Sequence, residues 1–440
     1  MADSPGTSTR RLREAHAHLV SLGQALALPS VEGCGCVREC LEVVRREVAV
    51  SGGGWVRVKG ARVAGWAEGR WPTLAELDGA TGAVPVVVMS FDHHEAVGNS
   101  AALRAACLSA GQQVGVNGVV EADCRTGEAT GLLREEAAYA AWGVGGAAAE
   151  AEEGARRGWV EAALGHLARL GYVEAHDLHS QAWLPGVLAA MEREGALGMK
   201  VWVYPPAAGL EEMARDRGAW ESERVRLAGG KVFADGTLNG RTALMLHRYA
   251  EPLLGHPRGQ AMVSPMALDE AYRRAGVLGL PLAVHAIGDG AVRMVLDSIE
   301  RVFGKRGDAG VTAGGIGRQR IEHAEVVDGA DVPRFAGLGV VCSVQPSHLL
   351  ADVEALRRFV PHRLERVLPL RELVDSGCVP GRGGLMWMGS DVPIVRAEAE
   401  DCVRAAVWRR REGAAEEEAI GLGQALTEAE AWAGLGAGGW

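Results

Sequence analysis

The sequence predicts an α/β fold, a (β/α)8 barrel of the TIM type with an inserted subdomain after its first strand. Two observations lead to this prediction. Short apolar runs alternate with helical segments after residue 150, which is typical of βαβ units and a parallel sheet. Together with an earlier run at residues 12–17 they number eight, as many strands as close such a barrel. An open doubly wound sheet is the alternative, because hydrophobic periodicity does not show whether a sheet closes.

The predicted elements follow in order along the chain. Residues 11–24 are expected to hold the first barrel strand and the start of the functional site, and residues 25–150 to form the inserted subdomain, a candidate lid. Within it, apolar residues recur at helical spacing over 37–50 and a strand-like run covers 84–91. Residues 151–432 would complete the barrel. The later apolar runs lie at 171–175, 199–204, 225–233, 281–285, 320–323, 340–344 and 385–388.

Composition excludes several classes of protein. With 48% hydrophobic and 23% charged residues, the 440-residue chain has ordinary globular usage. Its 46 basic and 56 acidic residues give a net charge of -10, without a basic run of five, so nucleic acid is not expected as a partner. No apolar stretch approaches the roughly 18 residues of a membrane span, and the first residues lack the apolar core of a secretory signal. We therefore expect a cytoplasmic protein with reduced cysteines.

Histidines and a carboxylate stand where strands are predicted to end, which is where such barrels place their functional groups. His16 and His18 are two residues apart, so an extended strand presents both on one face towards one ion. His285 and His323 each close an apolar run. Singly, such a histidine is more often a hydrogen-bonded core residue. Asp391 ends another run, where a buried carboxylate needs a partner or a cation, and this favours a metal site.

Lys231 is one of only four lysines in the chain and enters the apolar run G-G-K-V-F-A-D-G. Burial lowers the pKa of a lysine, and the neutral amine can add carbon dioxide to form a carbamate, an anion that two cations can share. An ion pair with Asp235 or another carboxylate is the alternative.

These groups occur in the order H-x-H, Lys, His, His, Asp. In that order, and in the segments around it, the chain resembles the amidohydrolase superfamily, and within it the family 3 type branch that contains N-substituted formamide deformylases. The resemblance extends over residues 14–432. The matching segments are E-A-H-A-H-L, P-T-L-A-E-L-D, D-H-H-E-A-V-G-N-S-A-A-L, K-V-F-A-D-G-T-L-N-G-R-T-A, H-A-I-G-D-G-A, R-I-E-H-A, S-V-Q-P-S-H-L-L-A-D and G-S-D-V-P.

The resemblance implies a centre of one or two metal ions, usually zinc. The first ion would be held by three residues and the second by two, with a carboxylated lysine between the ions. In that order, the implied residues are His16, His18 and Asp391 for the first ion, His285 and His323 for the second, and Lys231 as the bridge. Nitrogen and oxygen ligands suit zinc and would also take manganese, iron, cobalt or nickel.

The reaction implied is hydrolysis of a C–N bond in an amide, an N-substituted formamide or a related small molecule. Bound metal lowers the pKa of water from 15.7 towards about 7, which supplies hydroxide at neutral pH. Asp391 would accept the water proton and deliver it to the departing amine, and Lys231 and His285 complete the expected catalytic set. The resemblance also allows a homodimer.

Four further residues are expected to bind substrate. His94 lies in the insertion, where the resemblance suggests a loop over the barrel mouth. Arg241 follows the fourth strand and could bind a carboxylate or carbonyl oxygen, although a loop arginine is usually solvated. Gln345 and His348 follow the seventh strand and would line the pocket.

The chain departs from the resembled family at both ends. Members usually have strands before the H-x-H and after the barrel that form a small flanking β-sandwich, and we expect this sandwich to be missing here. Arg11 and Arg13 also fit poorly with a buried first strand. The alternative function is therefore a truncated, non-catalytic amidohydrolase-like protein.

Overall fold

The structure is a computed structural model that describes residues 11–90, 95–115, 118–150, 153–253, 255–305, 317–381 and 383–437. The chain divides into two compact units. One consists of Met1–Gly23 and Val160–Trp440, and the other of Gln24–Trp159. The predicted insertion at 25–150 lies inside the second unit.

The described residues form fifteen β-strands, numbered here in chain order. They are β1 (Leu12–Ala17), β2 (Val56–Ala61), β3 (Val86–Ser90), β4 (Glu95–Gly98), β5 (Gln113–Val114), β6 (Gly118–Ala122), β7 (Ala129–Arg134), β8 (Tyr172–Leu178), β9 (Lys200–Tyr204), β10 (Val225–Leu227), β11 (Gly230–Phe233), β12 (Leu282–Ala286), β13 (Arg320–His323), β14 (Val341–Val344) and β15 (Met386–Met388).

The described residues also form sixteen α-helices. They are α1 (Leu19–Ala27), α2 (Val37–Val50), α3 (Leu74–Thr81), α4 (Ser100–Ala105), α5 (Glu136–Glu150), α6 (Glu153–Arg169), α7 (Leu184–Arg193), α8 (Leu210–Asp216), α9 (Pro265–Val277), α10 (Asp289–Phe303), α11 (Val332–Leu338), α12 (Pro346–Ala351), α13 (Val353–Phe359), α14 (Leu370–Asp375), α15 (Ala399–Trp408) and α16 (Glu428–Leu435). None of them, within the ranges given above, is long and apolar enough to cross a bilayer.

The first unit is an α/β structure with two parallel sheets. Their strand orders are β1-β8-β9-β10 and β11-β12-β13-β14-β15. Every pairing within them is parallel. Most residues of these strands are buried, because helices alternate with the strands along the chain and cover sheets of this kind.

The predicted run at 225–233 is wrong as a single strand. The structure divides it into β10 and β11, with Gly229 between them. A side chain at Gly229 would collide with the carbonyl oxygen of Pro281, so glycine is needed for this close approach. β10 pairs with β9, whereas β11 pairs with β12 and begins the second sheet.

The two sheets also contact each other at two places, one beside β1 and β15 and the other between β11 and the residue that follows β9. At one edge, the His18 amide donates a hydrogen bond to Val392 O at 2.9 Å and the Asp391 amide donates to His16 O at 2.8 Å. At the other edge, the Lys231 amide donates to Pro205 O at 2.7 Å. Parallel bridges occur at both places.

The expectation that arginine fits poorly in a buried first strand is wrong for Arg13. All six residues of β1 are buried. The Arg13 guanidinium donates to Gly434 O at 3.1 Å and lies over the Trp387 ring at 4.4 Å, so its charge has a carbonyl and an aromatic face as partners. Burial is the main cause that lowers the pKa of Arg13 to about 10.

The second unit is built on a mixed sheet with the strand order β2-β3-β4-β7-β6-β5. β2 and β3 are parallel, and the other pairings are antiparallel. One apolar cluster joins α2, α3 and one face of β2 and β3, and Cys40 is buried within it. Helix α3 begins with a capping box between Thr73 and Glu76.

Candidate metal centre

Six residues predicted from the sequence line one cavity of about 520 Å³ in the first unit. They come from the C-terminal part of β1 and the residue just after it, from β11, β12 and β13, and from the segment after β15. Parallel strands bring their carboxyl ends to one edge, which is why residues so distant in sequence meet there. The six are His16, His18, Lys231, His285, His323 and Asp391.

Asp391 lies among three histidines. Its Oδ1 is 2.9 Å from His18 Nε2 and 3.4 Å from His16 Nε2, and its Oδ2 is 3.5 Å from His348 Nε2. Burial alone would raise the pKa of Asp391, but the neighbouring histidines hold it well below the ordinary value. Asp391 and His323 both have positive φ angles, 66° and 73°, which non-glycine residues adopt at a cost in conformational energy.

His16 is held from behind by a buried ion pair. Its Nδ1 is 2.8 Å from Glu322 Oε2, and Arg320 Nε lies 2.8 Å from Glu322 Oε1. Burial acts to raise the pKa of Glu322, but Arg320 and His16 hold it well below the ordinary value. A carboxylate can only accept, so Nδ1 carries the proton and Nε2 keeps its lone pair on the side of Asp391.

Lys231 is buried, with 2% of its surface exposed. Its Nζ has no hydrogen-bond partner among the residues of the described ranges. It lies 5.0 Å from the centre of the Phe233 ring. Burial lowers the pKa of Lys231 to about 8, although Glu322 and Asp391 act in the opposite direction. A buried amine without a partner is costly unless another group satisfies it.

His285 and His323 lie side by side, with ring centres 4.5 Å apart. Burial is the first cause that lowers the pKa of both residues, in His285 to about 3. Both rings are therefore neutral at pH 7, the form in which histidine binds metals. His285 Nε2 lies 3.0 Å from Gly236 O and donates to it. His323 Nδ1 has no hydrogen-bond partner in the described part of the chain.

Among the residues that the structure describes, two groups of side chains have the geometry to hold a metal ion. One is His16, His323 and Asp391, and the other combines His323 with Glu325 and His348. In each group one potential ligand atom per residue lies within 4.8 Å of the others, and all these residues are buried. Imidazole and carboxylate groups suit zinc and related divalent metals. These ligand types, and the buried Lys231 and His323 atoms that have no described hydrogen-bond partner, fit the metal centre that the sequence resemblance implies.

The remaining predicted residues lie in different places. His348 lines the cavity, and its Nδ1 is 3.3 Å from Glu325 Oε1. Gln345 is buried behind His16, with 3.3 Å between its Nε2 and His16 Nδ1. Arg241 is not among the residues that line the cavity. Its guanidinium donates to Glu251 O at 3.2 Å. His94 is outside the described residues.

Sequence reasoning missed Arg320, Glu322 and Glu325, although a signal was present. In R-I-E-H, residues 320 and 322 are two apart, so they share the face of β13 that points away from Ile321. Both are buried, and charged residues are buried almost only when they are paired or bind ions. Glu325 lies just beyond the strand end and lines the cavity.

Comparison with known proteins agrees with this architecture. The amidohydrolase family model matches residues 12–433. The chain is 27% identical over 422 residues to Protein LONG AFTER FAR-RED 3 of Arabidopsis thaliana, covering 90% of this chain and 68% of that protein. It is 26% identical over 367 residues to N-substituted formamide deformylase of Arthrobacter pascens, covering 77% of this chain and 62% of that protein. It therefore spans about two thirds of the length of these relatives.

A solved structure is similar over nearly the whole chain. It is that of an uncharacterized metal-dependent hydrolase from Pyrococcus horikoshii OT3. The TM-score is 0.74 at 25% identity, and the match covers 96% of this chain and 78% of the other. The family match and this structure support a metal-dependent hydrolase. Because the family model covers almost the entire sequence, this chain belongs to the amidohydrolase family.

Proposed function

We propose that this protein is a metal-dependent hydrolase that cleaves the C–N bond of a small amide or N-substituted formamide. The observation that carries the proposal is the convergence of His16, His18, Lys231, His285, His323 and Asp391 on one cavity. Family membership gives the reaction class. The relative named as an N-substituted formamide deformylase, of which this chain spans 62%, supports the choice of a C–N bond outside peptides.

We further propose that the two parallel sheets are the halves of one (β/α)8 barrel. The contacts of His18 with Val392 and of Lys231 with Pro205 support closure at the two edges. If β10 and β11 count as one interrupted strand, the two sheets together supply the number of strands that a closed barrel requires. Asp391 would then follow the eighth strand, beside the strand that carries His16.

The metal ions would be held as the sequence predicted. One would be held by His16, His18 and Asp391, another by His285 and His323, with Lys231 between them. When bound, such an ion lowers the pKa of water towards about 7 and polarises a carbonyl group. Glu322 fixes the ring of His16 in the tautomer that leaves Nε2 available. Zinc is the metal that this donor set favours most directly.

Lys231 would act as a carbamate. Carbon dioxide adds to the neutral amine, a C–N bond forms, and one proton leaves to solvent. The reaction replaces a buried amine that has no described hydrogen-bond partner with an anion whose oxygens can bind cations. The lowered pKa of Lys231, about 8, supports this step because it increases the fraction of neutral amine at pH 7.

Asp391 would move the proton. Its carboxylate faces the cavity, and its low pKa keeps it ionised and able to accept a proton from the attacking water. The protonated carboxyl group can then donate this proton to the nitrogen of the departing amine as the C–N bond breaks. His348, 3.5 Å from Asp391 Oδ2, would orient the carboxylate or bind the substrate carbonyl. The lid, Arg241 and His94 as substrate contacts, a homodimer and a cytoplasmic location stay predictions.

The test is metal content followed by hydrolysis of N-substituted formamides and N-acyl amino acids by the purified protein. Substitution of Asp391 by Asn is expected to lower kcat by about 10² to 10⁴-fold, because the amide cannot accept the proton. Asp375→Asn, on an exposed side chain of α14, is the matched control and should keep full activity. A folded protein that holds metal and hydrolyses no member of either panel would contradict the proposal.

A further inference from the structure

We propose that a second cavity beside the metal site binds an anionic group of the substrate, of the carboxylate class. This inference rests on the proposed function and narrows its substrates to amides that carry a negatively charged group remote from the scissile C–N bond. The second cavity, called here the arginine pocket, has a volume of about 380 Å³. Its lining includes Ser347, Ala351, Val395, Arg404, Arg410 and Arg411.

The arginine pocket and the metal site share their walls. Ala351 and Val395 line both cavities. Helix α12 presents His348 to the metal site and Ser347 to the arginine pocket. In the segment after β15, Asp391 lines the metal site and Val395, a few residues later, lines both cavities. One molecule could therefore contact both cavities along these two elements.

The charge of the pocket is positive. Four arginines and two acidic residues line it. Arg404 lies 2.8 Å from Glu412, and Arg411 makes two hydrogen bonds to Glu354, at 2.7 and 2.8 Å. A third arginine pairs with an aspartate of α15. These pairs neutralise three of the guanidinium groups and hold them in place.

Arg410 is the exception. It makes no ion pair or side-chain hydrogen bond with any residue in the described ranges, and it is half-buried at the pocket wall. Ser347 is 8% exposed, and its Oγ has no hydrogen-bond partner within the same ranges. An unpaired guanidinium and a buried hydroxyl without a partner are complementary to a carboxylate, which accepts from both.

The principal experiment compares matched substrates with the metal-loaded enzyme. A series of N-formyl ω-amino acids of increasing chain length is measured beside N-alkylformamides in which a methyl group replaces the carboxylate. The wild-type enzyme should prefer the anionic member at the chain length that spans both cavities. Arg410→Ala should lower the ratio of kcat/KM for the anionic substrate to kcat/KM for its methyl analogue by about tenfold, the effect of losing one charge-assisted hydrogen bond. Arg410→Lys should restore part of this preference. Arg273→Ala, an exposed arginine of α9, should leave the ratio unchanged.

A binding measurement separates this inference from the proposed hydrolysis. Inorganic phosphate is titrated calorimetrically into the wild-type protein, Arg410→Ala and Asp391→Asn. Binding that Arg410→Ala removes and Asp391→Asn preserves supports the arginine pocket even if no formamide is hydrolysed. Hydrolysis of both series with a ratio that Arg410→Ala does not change would overturn the inference. So would phosphate binding that depends on Asp391 and not on Arg410.

Discussion

Glu322 Oε2 lies 2.8 Å from His16 Nδ1, and both side chains are almost completely buried. The pair joins β13 to β1, strands that belong to different sheets, and its two residues are 306 positions apart in the sequence. Because Arg320 keeps Glu322 ionised, the contact determines which nitrogen of His16 faces the cavity. An ion pair between Arg320 and Glu322, neither of which lines the cavity, thus orients a residue of the candidate metal centre.

Glu322→Gln should weaken metal binding by about 10 to 100-fold, the usual effect of removing a partner that orients a ligating histidine. The amide can donate to Nδ1 as well as accept from it, so the ring loses its preference for one tautomer. Metal affinity is measured by competition with a chromophoric chelator. Glu270→Gln, on an exposed side chain, is the control for the change of residue type. Unchanged affinity in a folded Glu322→Gln protein would show that the contact is only structural.

Carbon dioxide should react with Lys231. Protein exchanged into ¹³C-bicarbonate is expected to show a carbamate signal by NMR, because a buried amine with a pKa of about 8 has a substantial neutral fraction near that pH. Lys231→Ala should lack the signal and hold less metal. Lys200→Ala is the matched control, since Lys200 is less buried and lies over the Trp202 ring. A signal that persists in Lys231→Ala would place the carbamate elsewhere.

Gly389→Ala should reduce metal content although residue 389 is not itself a ligand. An added Cβ would lie 2.5 Å from the His16 amide nitrogen and would collide with the Glu14 carboxylate. β1 would have to move, and with it the rings of His16 and His18. Gly337→Ala, in α11, is the control because nothing lies within 4 Å of the added atom. It should leave metal content unchanged and raise stability by about 0.5 to 1 kcal/mol.

Glu76→Ala should destabilise the second unit by about 1 kcal/mol at pH 7, because Glu76 closes the capping box of α3. Its hydrogen bonds with Arg70, and then with Thr73, lower the pKa of Glu76 from 4.5 to about 2. A lowered pKa stabilises the folded state above pH 4.5, and the effect is lost as the pH falls towards 2. The difference from wild type in urea unfolding should therefore shrink as the pH falls through that window.

Glu76→Gln separates the two contributions to this effect. The amide can still accept the Thr73 amide hydrogen bond, but it cannot pair with the Arg70 charge. It should lose less stability than Glu76→Ala at pH 7. A difference between wild type and Glu76→Ala that is constant from pH 7 to pH 3 would contradict the assigned role of the carboxylate.

Much of the fold was predictable because strands and helices leave a local pattern. The runs at 171–175, 199–204, 281–285, 320–323, 340–344 and 385–388 each contain or overlap an observed strand, since buried parallel strands require short apolar stretches. The division of residues 225–233 was not predictable. It depends on the approach of Gly229 to the Pro281 carbonyl, which lies far away in the sequence.

The residue types at the strand ends could be recognised without coordinates, because a strand's side-chain alternation and its apolar stretch are local properties. His16, His18, His285, His323 and Asp391 could be identified in this way, whereas Lys231 enters its apolar run and was singled out as one of only four lysines. The packing of distant segments is what puts Arg320 and Glu322 behind His16 and buries Arg13 against Trp387. It also leaves Arg410 without a described partner in the cavity that it lines together with Ser347. Each of these depends on which distant segments pack together, and the free energy of a buried charge is set by those neighbours rather than by its place in the chain.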